Sequence, residues 1–290
     1  MSRFKDSNRR LRRCSRVLGA ALALPVLHAS AGTTFDVIGP REYELPVDFK
    51  PFNVFVQYAT LQNTDRTFDS DGNRADGSGT ETISGLSKYV RFWTPDFNHR
   101  IGLAWEVIAS EVSVRNHSAN AADANQTSGI GDPLTGFALW YKPSDNSTFG
   151  IQSFVQMPVG NSDVSDTNWK NLTSLLWDVR LPAHLGWTAD AGFVYQGRRT
   201  RDHLRPGMAW HTNQRFAWQA TELLEPFVAV DAEYDDGHDG IASAWTVDAG
   251  PGVMFHTFDN QSITVRYATS VAGRNRDVNN SFNLKYAYVW

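Results

Sequence analysis

Residues 281–290 read SFNLKYAYVW, and every second one is large and apolar: Phe282, Leu284, Tyr286, Tyr288 and Trp290. Side chains alternate across a strand, so one face of this segment is apolar and largely aromatic. Asn283, Lys285, Ala287 and Val289 make the other. Alternation of this kind recurs along the chain, whereas no long window carries a helical period and no low-complexity tract or repeat is evident. Twelve such segments are readable, near 52–62, 84–94, 100–115, 130–142, 147–158, 172–181, 185–197, 207–219, 225–235, 242–257, 261–270 and 280–290. The pattern predicts an all-β fold.

The links between segments alternate in length. Pro95–Asn98, Pro143–Asn146, Pro182–His184, Ala220–Leu224 and Phe258–Asn260 are short, and most are rich in the turn formers Pro, Asn and Asp. Longer polar stretches fall between them, at 63–83, 116–129, 159–171, 198–206, 236–241 and 271–279. An antiparallel up-and-down barrel of about 12 strands, with tight turns at one mouth and longer loops at the other, has this rhythm. Greek-key connections would not keep it.

Alternation alone fits both a soluble barrel and a membrane barrel. Ile101, Leu103, Trp105 and Val107 share one face; Trp187, Ala189, Ala191, Phe193 and Tyr195 share another; Trp245, Val247, Ala249, Val253 and Phe255 a third. Three features favour lipid outside and water inside. The last strand is aromatic. Tyr58, Trp93, Trp140, Tyr141, Tyr195 and Tyr234 lie near strand ends, where amphipathic rings suit the headgroup level. The chain also opens with an export signal.

That signal comprises Arg3, Lys5, Arg9, Arg10, Arg12, Arg13 and Arg16, then the apolar run Val17–Leu27, then Ala29-Ser30-Ala31. Its apolar run is about half the ~20 residues of a spanning helix, which favours cleavage after Ala31 over anchoring. Residues 1–31 are thus expected to be a signal peptide, 32–51 an N-terminal extension able to plug a lumen, and 52–290 the barrel. Of 27 basic and 31 acidic residues the signal removes seven basic ones and Asp6, leaving a net charge of −10. Such a surface argues against nucleic-acid binding. Cys14, the single cysteine, falls within the signal, so the mature chain offers no thiol, disulfide or cysteine metal site.

For an outer membrane of a Gram-negative bacterium, the tight turns would be periplasmic and the long loops extracellular. Phe282, Leu284, Tyr286, Tyr288 and Trp290 would then close the barrel and form the pattern that barrel-assembly machinery reads. The alternation assigns Asn53, Gln57, Glu106, Asp178, Arg180, Asp190, His211, Arg215, Asp231, Glu233, Asp248, His256, Arg266 and Lys285 to the lumen, with Phe55 and Phe154 as apolar members of the pathway. A lumen of twelve strands is expected to be narrow or plugged. Gly197–Arg205, GRRTRDHLR, sets Arg198, Arg199, Arg201 and Arg205 at the extracellular rim, where guanidinium groups suit the phosphates of outer-membrane lipid and lipopolysaccharide. A solvated basic loop is the other reading.

Asp69–Gly77 begins like a calcium loop, but glycine stands at its fourth position and no glutamate at its twelfth, so no metal or cofactor is expected. No strand of the mature chain holds a His-x-Ser or Ser-x-His pair, which argues against a hydrolase.

The chain also resembles a known family. REYELP (Arg41–Pro46) leads into FNVFVQYA (Phe52–Ala59), followed by SDGNR (Ser70–Arg74), GIGDPLTGFALWY (Gly129–Tyr141), GIQSFVQMPVGNSD (Gly150–Asp163) and the aromatic end. These segments are similar to the outer-membrane proteins described as putative MetA-pathway of phenol degradation. The resemblance implies an outer-membrane channel or transporter for small hydrophobic or aromatic compounds. A non-transporting structural or adhesive barrel and an outer-membrane lipid hydrolase are the alternatives.

Overall fold

The computed structural model describes residues 34–116, 126–258 and 260–290. Among these there is no α-helix, and fourteen strands form one antiparallel sheet. In chain order they are β1 (Phe52–Phe68), β2 (Arg74–Trp93), β3 (Ile101–Asn116), β4 (Gln126–Ile130), β5 (Leu134–Ser144), β6 (Ser147–Gln156) and β7 (Lys170–Leu181). There follow β8 (Leu185–Gln196), β9 (Ala209–Trp218), β10 (Leu224–Asp235), β11 (Ala244–Phe258), β12 (Gln261–Arg274), β13 (Arg276–Asp277) and β14 (Asn280–Val289). Sequential neighbours pair, and β14 pairs with β1 from Val289↔Val54 to Asn280↔Asn63, which closes a barrel of 12 strands. The short β4 and β13 extend the wall at the long-loop end against β3 and β1.

Closure reaches the last residue. The Asn53 N–H donates to the Trp290 carbonyl at 2.9 Å, and the Trp290 N–H donates back to Asn53 at 3.0 Å. The Trp290 ring stacks on Tyr288 at 5.5 Å and tilts against Tyr89 at 6.3 Å, forming part of an aromatic girdle at the tight-turn mouth.

The wall is apolar outside and polar inside. Phe137, Leu175 and Val228 are 54–63% exposed, whereas Arg215, Asp231 and Asp248 are fully buried. Water would not tolerate the first set as a continuous band, and a dry core would not tolerate the second. Lipid outside a polar interior satisfies both, which is the arrangement of an outer-membrane barrel with periplasmic turns and extracellular loops.

One expected loop is largely strand. Residues 63–83 continue the β1–β2 hairpin, which turns only at Asp69–Asn73. The Asp69 carboxylate accepts the N–H groups of Asp71 and Asn73 at 2.8 and 2.9 Å, and Gly72 supplies the positive φ of 84°. Above the membrane both faces of a hairpin meet water, so the apolar alternation that marks a strand disappears there.

Candidate functional site: the occupied barrel interior

Residues 34–50 run inside the barrel, from its extracellular half to the periplasmic mouth, before the chain enters β1. Near its start, the Thr34 N–H and hydroxyl both donate to Glu233 Oε2 at 2.6 Å, and Asn213 Nδ2 donates to the Thr34 carbonyl at 2.9 Å. Phe35 packs against His211 and Phe154, with ring centroids 5.3 and 6.1 Å apart. Arg215 donates to the carbonyls of Asp36 and Ile38 at 2.7 and 2.8 Å, and Arg266 donates to the same Asp36 carbonyl.

Further along, the Tyr43 hydroxyl donates to Asp190 at 2.8 Å, and Glu42 accepts from Lys285 and from the Tyr58 hydroxyl. At the periplasmic end the Trp140 indole donates to the Pro46 carbonyl at 2.9 Å. There Leu45, Val47 and Phe49 pack on Val90, Phe92, Trp140 and the first residues of β1. Gly102 makes room for that indole, since a Cβ there would overlap the Trp140 ring.

Two charge clusters hold this path. Asp231 lies between Arg215, at 2.6 Å, and Arg266; all three are buried. Glu225, also buried, accepts from Arg41 at 2.7 Å, His256 at 3.0 Å and Arg180 at 3.3 Å. Arg180 further pairs with Glu44 at 2.9 Å. Carboxylates and guanidinium groups so enclosed compensate one another's desolvation.

Phe35 and Arg41 have left-handed backbones, with φ of 60° and 59°. Neither residue type favours that region. The wall contacts around them hold the segment in a shape that it would not keep alone.

Most of the positions assigned to the lumen from sequence do face inward. Glu106 pairs with Lys88 at 2.7 Å, and Asp248 accepts from Ser270 and Asn279 at 2.7 and 2.8 Å. Glu233 pairs with Arg276 as well as holding Thr34. Asp178 accepts from Thr188, Phe154 is 1% exposed, and Asp190, His211, Arg215, Asp231 and Arg266 lie in the contacts above.

Phe55, Gln57 and Asn53 do not face the lumen. Val56, Tyr58 and Thr60 carry the buried face of β1, so these three look outward; Gln57 accepts from Ser87 on the lipid side at 2.7 Å, and Asn53 accepts from Tyr89 and Arg91 at 2.9 Å. The lumen face of β1 is apolar because the extension packs on it, which inverts the rule that polar side chains point inward. For the same reason Tyr58 and Trp140 are inside, not in the girdle. Glu225, Glu42, Glu44 and Arg41 are not among the positions that the alternation assigns to the lumen. Glu225 alternates with Phe227, Ala229 and Asp231 on β10 and is legible from that; the extension residues lie in no strand and give no periodic signal.

Ser174 and His211 approach to 3.0 Å across β7 and β9, the one serine–histidine contact of the interior among the described residues. Asp190 lies 3.6 Å from the same Nε2, and Nδ1 has no partner. A relay needs the carboxylate on the opposite ring nitrogen, so this geometry does not activate the serine. Among the described residues no group of three His, Cys, Asp or Glu side chains is placed to hold a metal. At the rim, Arg198 pairs with Asp239 at 3.8 Å and Arg199 with Asp202 at 3.3 Å, while Arg201 and Arg205 have no ion pair among the described residues.

Closed strand order, apolar exterior and charged, occupied interior define an up-and-down barrel of the outer membrane. A sequence model of the family described as "Putative MetA-pathway of phenol degradation" matches residues 64–286, and the chain belongs to that family. The fold is similar to the crystal structure of an outer membrane channel from Pseudomonas putida F1. The two share 16% identity over 87% of this chain and 100% of that one, with a TM-score of 0.77. It is similar also to the beta domain of the Bordetella autotransporter BrkA, at 12% identity over 83% of this chain and 100% of that one, with a TM-score of 0.52. No curated protein matches the sequence.

Proposed function

We propose that this protein is a channel of the Gram-negative outer membrane for small hydrophobic or aromatic compounds, delivered there by the signal at residues 1–31 and plugged by residues 32–51. The observation that carries the reading is the occupied interior. A barrel that served only as a scaffold could fill its lumen with side chains from its own wall. Here the filling is a separate segment, seated by hydrogen bonds and ion pairs, with Phe35, Arg41 and Asp48 held in left-handed backbone conformations. The lumen that it occupies mixes the Phe154 ring with buried charges, which suits a solute that is part apolar and part polar. The P. putida barrel of similar fold is itself described as an outer membrane channel.

The test is single-channel recording in planar bilayers with and without residues 34–50, joined to benzoate uptake by cells at limiting external concentration. Removal of the segment should raise conductance several-fold, and cells lacking the protein should take up less benzoate. Equal uptake, together with no conductance from the truncated protein, would leave a structural barrel as the better account.

A further inference from the structure

The four rim arginines are not equivalent, and the difference points to a site. Arg198 and Arg199 are neutralised by Asp239 and Asp202. Arg205 lies 4.9 Å over the Tyr195 ring, and its Nε donates to the Gln196 carbonyl at 3.3 Å; it has no ion pair among the described residues. Beside it opens a cleft of about 520 Å³, lined by Tyr195, Arg205, Met208, Tyr234, Asp236 and His238. Tyr195 and Tyr234 belong to the outward faces of β8 and β10 and are 44% and 42% exposed, so their side of the cleft faces lipid.

The cleft is built rather than incidental. The Asp236 N–H donates to the Met208 carbonyl at 2.9 Å, and the Arg205 N–H donates to Asp239 at 3.0 Å, which ties the β8–β9 loop to the β10–β11 loop. A Cβ at Gly207 would overlap the Asp236 carbonyl, so only glycine permits that approach. The Trp210 indole donates to Asp236 Oδ2 at 3.3 Å and orients the carboxylate.

We propose that this cleft binds the phosphorylated sugar headgroup of an outer-leaflet glycolipid. The Arg205 guanidinium, held flat by Tyr195, presents its terminal N–H groups to the phosphate. The tyrosine rings flank the sugar, and Asp236, already oriented by Trp210, accepts from sugar hydroxyls. The acyl chains descend along the apolar wall below. Asp236 would repel a bare phosphate in the same small space, which is why the sugar is part of the assignment.

The test titrates the full-length barrel in neutral detergent with a hexa-acylated diglucosamine bisphosphate lipid, with its dephosphorylated form and with inorganic phosphate, followed by native mass spectrometry. The bisphosphorylated lipid should bind about tenfold tighter than either of the others. Arg205→Gln should weaken it about tenfold, Arg205→Lys less, and Arg198→Gln not at all. Heat-modifiable migration verifies that each variant is folded. Equal binding by Arg205→Gln, equal loss in Arg198→Gln, or inorganic phosphate binding as tightly as the lipid would each overturn the proposal.

Discussion

Arg215 and Asp231 meet at 2.6 Å across the β9–β10 pair, and neither side chain is exposed. Arg266 takes the other oxygen of the same carboxylate, so one anion is shared by two cations and the triad joins three strands. Both arginines then reach the Asp36 carbonyl of the extension. The triad therefore braces the wall and also forms a seat for the segment within it. Asp231→Asn should cost about 3–5 kcal/mol, because it leaves two buried guanidinium groups without a counter-charge. Urea-dependent refolding into lipid vesicles measures this. A change below about 1 kcal/mol would show that water reaches the triad and screens it.

How much of this was legible in the sequence depends on what each residue packs against. On β7 to β12 the lumen face meets other charges and the outer face meets lipid, so alternation and burial coincide at Asp178, Asp190, Arg215 and Asp231. On β1 the lumen face meets Leu45, Val47 and Phe49 of the extension, and the same rule sends Gln57 to the wrong side. Strand count and turn lengths are local properties and were readable. The partners of Arg41 and Glu225 stand 184 residues apart and were not.

The GIGDP stretch has a structural role. Asp132 is 5% exposed and accepts from the N–H groups of Gly160 and Asp166 at 3.0 Å and from the Ser165 hydroxyl at 2.7 Å. It pins the β6–β7 loop across the mouth where the wall passes from β4 to β5. Asp132→Ala should release that loop, at about 3 kcal/mol of local stability, without opening the barrel. Limited proteolysis should then cut between residues 157 and 169. A resistant loop would mean that Lys170–Asp166 and the main-chain bonds of Asn161 suffice to hold it.

Deletion of Trp290 removes both hydrogen bonds to Asn53 and one ring of the periplasmic girdle. Membrane-integrated, heat-modifiable barrel should fall several-fold, while export across the inner membrane is unaffected. Trp290→Phe keeps the main chain and a ring, so its yield should stay near that of the native protein. Wild-type yield from the deletion would remove the closing role assigned to this residue.

The last prediction concerns which mouth faces out. β1 begins and β14 ends at the tight-turn mouth, to which the turns holding Asn260 and Ser144 also belong. The β1–β2, β6–β7 and β10–β11 loops lie at the other mouth, where Asp71, Asp163 and His238 are exposed. Assembly from the periplasm passes the longer polar loops outward and leaves the short turns behind. The only cysteine is Cys14, so replacing it gives a background without thiols. Cysteines at Asp71, Asp163 and His238 should react with an impermeant maleimide on intact cells. Those at Ser144 and Asn260 should react only after the outer membrane is permeabilised. Labelling of the second pair on intact cells would invert the topology, and with it the extracellular position of Arg205 and its cleft.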